Sequence, residues 1–222
     1  MGRPKEHNEQ TAIALLDAAE RIVEREGMAA LSVRRVANEV GTTTRAVYSL
    51  FGAKDGLVAA LGVRAFDLLG GTVSALPLTS DPLTDLVQAG LAFRRFVMAH
   101  PVLFRIGVQR VEVPPAAARE VADAADRALA ALRERLSRLQ AAGRLGDRTL
   151  ETASWEFHAL CEGLAIVEAR CGIGSEAAEQ VWMDALSALL GGWALDSAGN
   201  DEMPSMADRP ATRNRRRSQG AR

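Results

Sequence analysis

His158, Cys161 and Glu162 recur at spacings of three and four, which puts them on one helix face where a thiol–imidazole pair or a metal site could form. Their support is thin. A structural zinc site needs four ligands at a recognisable spacing, and the other histidines, His7 and His100, lie on different segments. Nothing in the chain reads as a phosphate loop, a nucleophile elbow or a zinc-protease helix, so a helical enzyme is the least favoured alternative. A richer pattern lies between Ser32 and Asp55, SVRRVANEVGTTTRAVYSLFGAKD. There Arg34, Thr42, Thr43, Thr44, Arg45, Tyr48, Ser49 and Lys54 bring cationic and hydroxyl groups together. Groups of these types contact phosphate oxygens and base edges in nucleic acids.

Those side chains act together only if two short helices present them. Val33, Val36, Ala37 and Val40 follow the three-and-four spacing of a helix with one buried face, and Ser32 ahead of them is a good N-cap. Gly41 ends that helix, because glycine enters the left-handed conformation without steric cost. Thr43 can cap a second helix in which Ala46, Val47 and Leu50 or Phe51 face inward, leaving Thr42, Thr44, Arg45, Tyr48 and Ser49 for a partner. This is the layout of a helix-turn-helix, whose second helix reads the major groove.

With these residues in register, the chain resembles the tetracycline-repressor (TetR) family. The resemblance is carried by LSVRRVANEVGTTTRAVYSLFGAKDGLV from Leu31 to Val58, preceded by AIALLDAAERIVEREG from Ala12 to Gly27. It includes the pattern Tyr-x-x-Phe-x-x-Lys at Tyr48, Phe51 and Lys54. Thr44, Arg45 and Ser49 depart from the residues common in that family, so the resemblance does not specify an operator sequence. A less specific stretch, WEFHALCEGLA, resembles a WHG-type C-terminal domain of the same family and breaks that signature at Cys161, Glu162 and Gly163. The resemblance implies a transcriptional repressor that binds double-stranded DNA at a palindromic operator. It also implies a homodimer, formed by pairing the last two helices of each subunit as a four-helix bundle, and a small-molecule effector held between the linking helix and the dimer helices.

Composition is compatible with this. The 222 residues are 48% hydrophobic and 25% charged, ordinary for a soluble globular chain. The net charge of −1 is uneven, since between Gly27 and Lys54 four cations (Arg34, Arg35, Arg45, Lys54) face Glu39 alone. Phosphate neutralisation depends on that local surface, not on the total. Two cysteines, Cys161 and Cys171, do not make a disulfide framework. They do support an alternative in which Cys161 or Cys171 serves a redox- or metal-sensing regulator, with Cys171, near a helix end after Arg170, the better sensor. No apolar run approaches the roughly 20 residues of a membrane span and GRPKEHNEQ has no apolar signal core, so a cytoplasmic protein with no membrane partner and no cofactor is expected.

The remaining chain reads as all-α. Ala53 to Val73 is a long linking helix. Asp81-Pro82 starts a helix to His100, Pro101 breaks it before Val102 to Gln109, and Pro114-Pro115 starts another to about Ala142. Asp147 is expected to cap the next helix, to Arg170, and Ser175 the last, to about Leu195. The expected organisation is a DNA-binding domain at 9–55, a helical ligand-binding and dimerisation domain at 56–196, and a disordered tail at 197–222 carrying RNRRR at Arg213–Arg217. Phe93, Phe96, Phe104, Trp155, His158 and Glu162 are the ligand candidates, being aromatic or ambivalent side chains suited to an apolar pocket with a few polar groups. Ala165 shares the face of Trp155, His158 and Glu162. Val181, Trp182, Leu186, Leu189 and Trp193 form an apolar stripe wider than one neighbour needs, and are the candidate dimer interface.

Overall fold

Apolar rows at helical spacing govern the arrangement. The computed structural model describes residues 3–109, 115, 118–171 and 175–199, and among these the chain is all-α, with no strand. Helix α1 (Arg3–Glu26) spans the Ala12–Glu26 stretch that carries part of the resemblance and buries Leu15, Ala18, Ala19, Ile22 and Val23 on one face. Helices α2 (Val33–Val40) and α3 (Thr44–Phe51) close over that face with Val36, Ala37 and Val47, giving a small three-helix core. Helix α4 (Lys54–Ser74) leaves this core through Leu57 and continues into the rest of the fold.

The second part is built around α4. Helix α5 (Pro82–Ala99) starts as expected, with the Asp81 carboxylate accepting the Leu83 N–H at 3.1 Å. Short α6 (Pro101–Leu103) passes into a π-helical turn, Phe104–Val108, whose Gly107 lies against Gly62 and Ala65 of α4. Helix α7 (Ala118–Ala141) runs along α4, approaching so closely that a Cβ on Gly70 would sit 3.0 Å from the Ala128 backbone. Helices α8 (Leu150–Cys171) and α9 (Ser175–Gly199) complete the bundle. By length and hydropathy α4 could cross a membrane, but half of its most apolar stretch is buried inside this fold. Its apolar faces are used by its neighbours.

Polar ties fix the relative positions of these helices. The Arg94 side chain on α5 donates to both Glu168 oxygens on α8, at 2.8 to 3.1 Å, and to Glu179 on α9 at 3.1 Å. Trp182 on α9 donates its indole N–H to Glu168 at 2.9 Å. Arg135 on α7 donates to the carbonyls of Val73 and Leu76 at 2.7 and 2.8 Å, satisfying the C-terminal end of α4. The buried Asp85 carboxylate accepts from the Thr79 N–H and hydroxyl and from Arg138. Polar contacts that join α1 to the rest include Arg64 with Asp17 at 2.5 Å and His100 with Glu20 at 2.9 Å.

Two boundaries differ from expectation. Helix α8 begins at Leu150, with the Thr149 hydroxyl accepting the Thr152 N–H at 3.1 Å, while Asp147 sits in the preceding turn beside Gly146 at φ 59°. Thr149 thus occupies the capping position assigned to Asp147. Helix α9 continues to Gly199, past both the expected end near Leu195 and the expected start of the tail. The rest of that tail, from 200 on, and the residues at Pro114 and Ala116 expected to start α7 lie outside the described residues.

Candidate nucleic-acid interface and interior cavity

The α2–α3 turn is formed by its own sequence. Ser32 accepts the Arg35 N–H at 3.3 Å and Thr43 accepts the Ala46 N–H at 3.2 Å, so each helix has a side-chain cap. Gly41, at φ 71° and ψ 30°, sends its N–H back to Ala37 and Asn38 and turns the chain. Val47 is then forced inward and fully buried, and the opposite face of α3 is exposed. Thr43, Thr44, Arg45, Ser49 and Lys54 are exposed, Tyr48 keeps 54% of its surface accessible, and Thr42 is half-buried. Arg34 faces solvent from α2. Arg35 is paired with Glu26, which takes it out of the free cationic surface. Lys54 reaches the Met28 carbonyl at 3.4 Å from the first residue of α4, beside the reading face. Seven of the eight candidates are thus exposed and Thr42 half-buried, spread over α2, the turn, α3 and the first residue of α4.

A cavity of about 460 Å³ lies between α4, α7 and α8, closed on its inner side by α5. Its buried walls include Phe66, Leu69 and Val73 of α4, Phe93 of α5, Leu132 of α7 and Phe157 of α8. Exposed Asp126, Arg133, Glu151 and Trp155, the last 65% accessible, mark its mouth. His158 stands edge-on to Phe93, with ring centroids 5.9 Å apart, and its Nε2 lies 3.6 Å from Glu162. Burial lowers the His158 pKa below the usual histidine value, and the nearby Glu162 charge only partly opposes this. The imidazole is therefore neutral at pH 7. Burial also drives the Cys161 pKa well above that of an ordinary thiol, so this cavity-lining cysteine stays protonated, whereas Cys171 is exposed.

The candidate residues divide sharply. Phe93, Trp155, His158 and Glu162 line the cavity; Phe96 and Phe104 do not. Phe96 packs on His100 and Phe104 stands edge-on behind Phe93, so both rings belong to the core. Ala165 is fully buried and outside the cavity lining, one turn beyond the polar pair. The α7 contribution, from Ala125 and Ala128 to Leu132, escapes the sequence reading. Its signal is present in the run of alanines, which leave space that larger side chains would fill.

The stripe on α9 also divides. Trp182, Leu186 and Trp193 are at most 1% exposed and belong to the chain's own core, Trp193 donating to Glu156 at 2.7 Å with Arg148 over its ring. They have no area to offer a partner. Val181 is 48% exposed, and with half-buried Leu189 it remains on the outer face. Val167 on α8 and Leu195 on α9 are also exposed, and a Cβ at Gly163, Gly191 or Gly192 would meet only open space. Among the described residues no group of three or more His, Cys, Asp or Glu side chains could hold a metal ion.

Residues 15–61 match the family of bacterial regulatory proteins called tetR, and residues 86–190 match the tetracyclin repressor-like C-terminal domain. No curated protein matches the chain. Solved structures share its fold. A protein of unknown function from Rhodococcus sp. RHA1 is 23% identical with a TM-score of 0.73, the match covering 83% of this chain and 95% of that one. The fatty acid degradation regulator FadR from Bacillus halodurans is 15% identical with a TM-score of 0.69, over 82% and 95% of the two chains. The TetR family transcriptional regulator PfmR from Thermus thermophilus is 20% identical with a TM-score of 0.61, over 80% and 97%.

Proposed function

The chain belongs to the tetR family and is a DNA-binding transcriptional regulator, and on that premise we propose that it is a cytoplasmic repressor released from a palindromic operator by a small molecule bound in the α4–α7–α8 cavity. The observation that carries the reading is that one helix serves both ends. Phe66, Leu69 and Val73 of α4 wall the cavity, and Lys54 begins the same helix beside the reading face. A ligand shifts DNA affinity only through a difference in its affinity for the two arrangements of the reading heads, and a shared helix supplies such a difference. A single helix-turn-helix reads few base pairs, so the repressor acts as a homodimer on half-sites one helical turn, roughly 34 to 36 Å, or a multiple of it apart. The outer faces of α8 and α9, with Val167, Val181, Leu189 and Leu195, form the interface in this reading.

The test is a gel-shift titration of DNA flanking the protein's own gene, with candidate effectors added, combined with light scattering of the free protein. Operator binding that no effector changes would remove the induction step. A monomer at micromolar concentration would remove the dimer. A redox sensor is the weaker reading because Cys161 is buried and protonated, which leaves only exposed Cys171 to carry it.

A further inference from the structure

The cavity has a sign. Its lining holds three carboxylates, Asp126, Glu151 and Glu162, against a single permanent cation, Arg133. Among the described residues Asp126, Glu151 and Arg133 make no direct hydrogen bond or ion pair, so no contacting partner there offsets the excess of carboxylates. Inside the mouth the walls turn apolar and aromatic, with Phe93 and Phe157 buried and Trp155 standing at the rim. Between the two zones sits His158, partly buried. Neither ring nitrogen makes a hydrogen bond to a described residue, since 3.6 Å to Glu162 is too long for one. Being neutral at pH 7, it can accept a proton-bearing group at one nitrogen.

We propose that the cavity takes an amphipathic amine: an apolar body against Phe93 and Phe157, and a protonated nitrogen that donates toward His158 and Glu162 beneath the carboxylates of the mouth. This rests on the reading of the cavity as the effector site and specifies the chemical class. An organic anion of the same size meets the opposite field, because its charge must pass Asp126 and Glu151 and settle beside Glu162 with only Arg133 in compensation. A neutral molecule avoids the repulsion but leaves the charge of the mouth unanswered. Two net charges at partly exposed positions together amount to about tenfold in affinity.

Octylamine, octanol and octanoate share one apolar body and differ only in charge at pH 7.5, and serve as the probes. Their binding to the full-length protein is followed by calorimetry and by the fluorescence of Trp155, the one tryptophan at the surface, since Trp182 and Trp193 are buried. Octylamine is expected to bind about tenfold more tightly than octanoate, with octanol between them. In the triple variant Asp126→Asn, Glu151→Gln, Glu162→Gln, octylamine should fall to the level of octanol, and octanol that still binds reports an intact cavity. Octanoate binding as tightly as octylamine overturns the amine assignment and leaves the cavity as a ligand site. An amine preference that survives in the triple variant overturns it too. Binding of none of the three probes overturns both the amine assignment and the effector reading on which it rests.

Discussion

Arg94 and Glu168 form a bidentate ion pair in which both side chains are less than 10% exposed, and Glu168 also accepts the indole N–H of Trp182. One carboxylate thus positions α5, α8 and α9 relative to one another. Removing Glu168 takes the bidentate partner from the buried Arg94 charge, with half-exposed Glu179 still beside it, whereas replacing both members by apolar groups is far less harmful. Glu168→Ala is expected to cost about 3 kcal/mol in denaturant unfolding, and the double variant Arg94→Met, Glu168→Leu much less. Equal losses in the two would mean that packing, not charge, sets the value of the pair.

Asp85 predicts how stability depends on acid. Burial alone would raise its pKa, but hydrogen bonds from Thr79 and the Arg138 guanidinium outweigh this and hold it below the ordinary aspartate value. With the folded pKa below the unfolded one, its stabilising contribution is complete above the unfolded value of about 3.9 and is lost as pH falls through the folded value. Unfolding midpoints from pH 7 down to pH 2 should therefore drop less steeply at the acid end in Asp85→Asn, which should also be less stable at pH 7. Identical acid limbs in the two proteins would place the acid sensitivity elsewhere.

The exposed face of α3 and the start of α4 should contribute differently to DNA binding. Arg45→Ala is expected to weaken binding to the operator by roughly tenfold to a hundredfold and to blunt discrimination against a scrambled site. Lys54→Ala should weaken both DNAs alike and reduce the dependence of binding on salt, as loss of a phosphate contact does. Footprinting on matched and scrambled duplexes at several salt concentrations separates the two. An Arg45 variant with unchanged operator affinity would remove α3 as the reading helix.

Ala125 lines the cavity and is almost fully buried. Ala125→Phe should occupy part of the space, abolish release by an effector and retain operator binding, at a cost of roughly 1–3 kcal/mol in stability from overpacking. Operator affinity with and without effector, in both proteins, is the measurement. Normal release by the variant would mean that the effector binds elsewhere.

What the sequence made legible was local. Ser32, Gly41, Thr43 and the Asp81-Pro82 pair act within a few residues of themselves, and the capped helices they announce are where they should be. Part of the α8 wall of the cavity was also readable, because Trp155, His158 and Glu162 share one helix, whereas the mouth charges Asp126, Arg133 and Glu151 were not. Long-range partners were not. Trp182 and Trp193 read as part of a surface stripe because their acceptors, Glu168 and Glu156, lie 14 and 37 residues away. Phe96 and Phe104 could not be told from cavity walls by residue type, since a core and a pocket use the same rings. Thr149 and Asp147 are both good caps by residue type, and the structure gives the position to Thr149 with Asp147 in the turn beside Gly146.

The grip of Arg135 on the carbonyls of Val73 and Leu76 gives α4 a fulcrum. From that anchored end the helix runs 21 residues to Lys54, so it is a lever of about 30 Å, and a tilt of about 5° sweeps its far tip through about 3 Å. Leu69 and Val73 line the cavity close to the anchor, where an effector, as proposed, would act over a short arm. In the proposed reading, a displacement there of well under an ångström would be magnified at the Lys54 end.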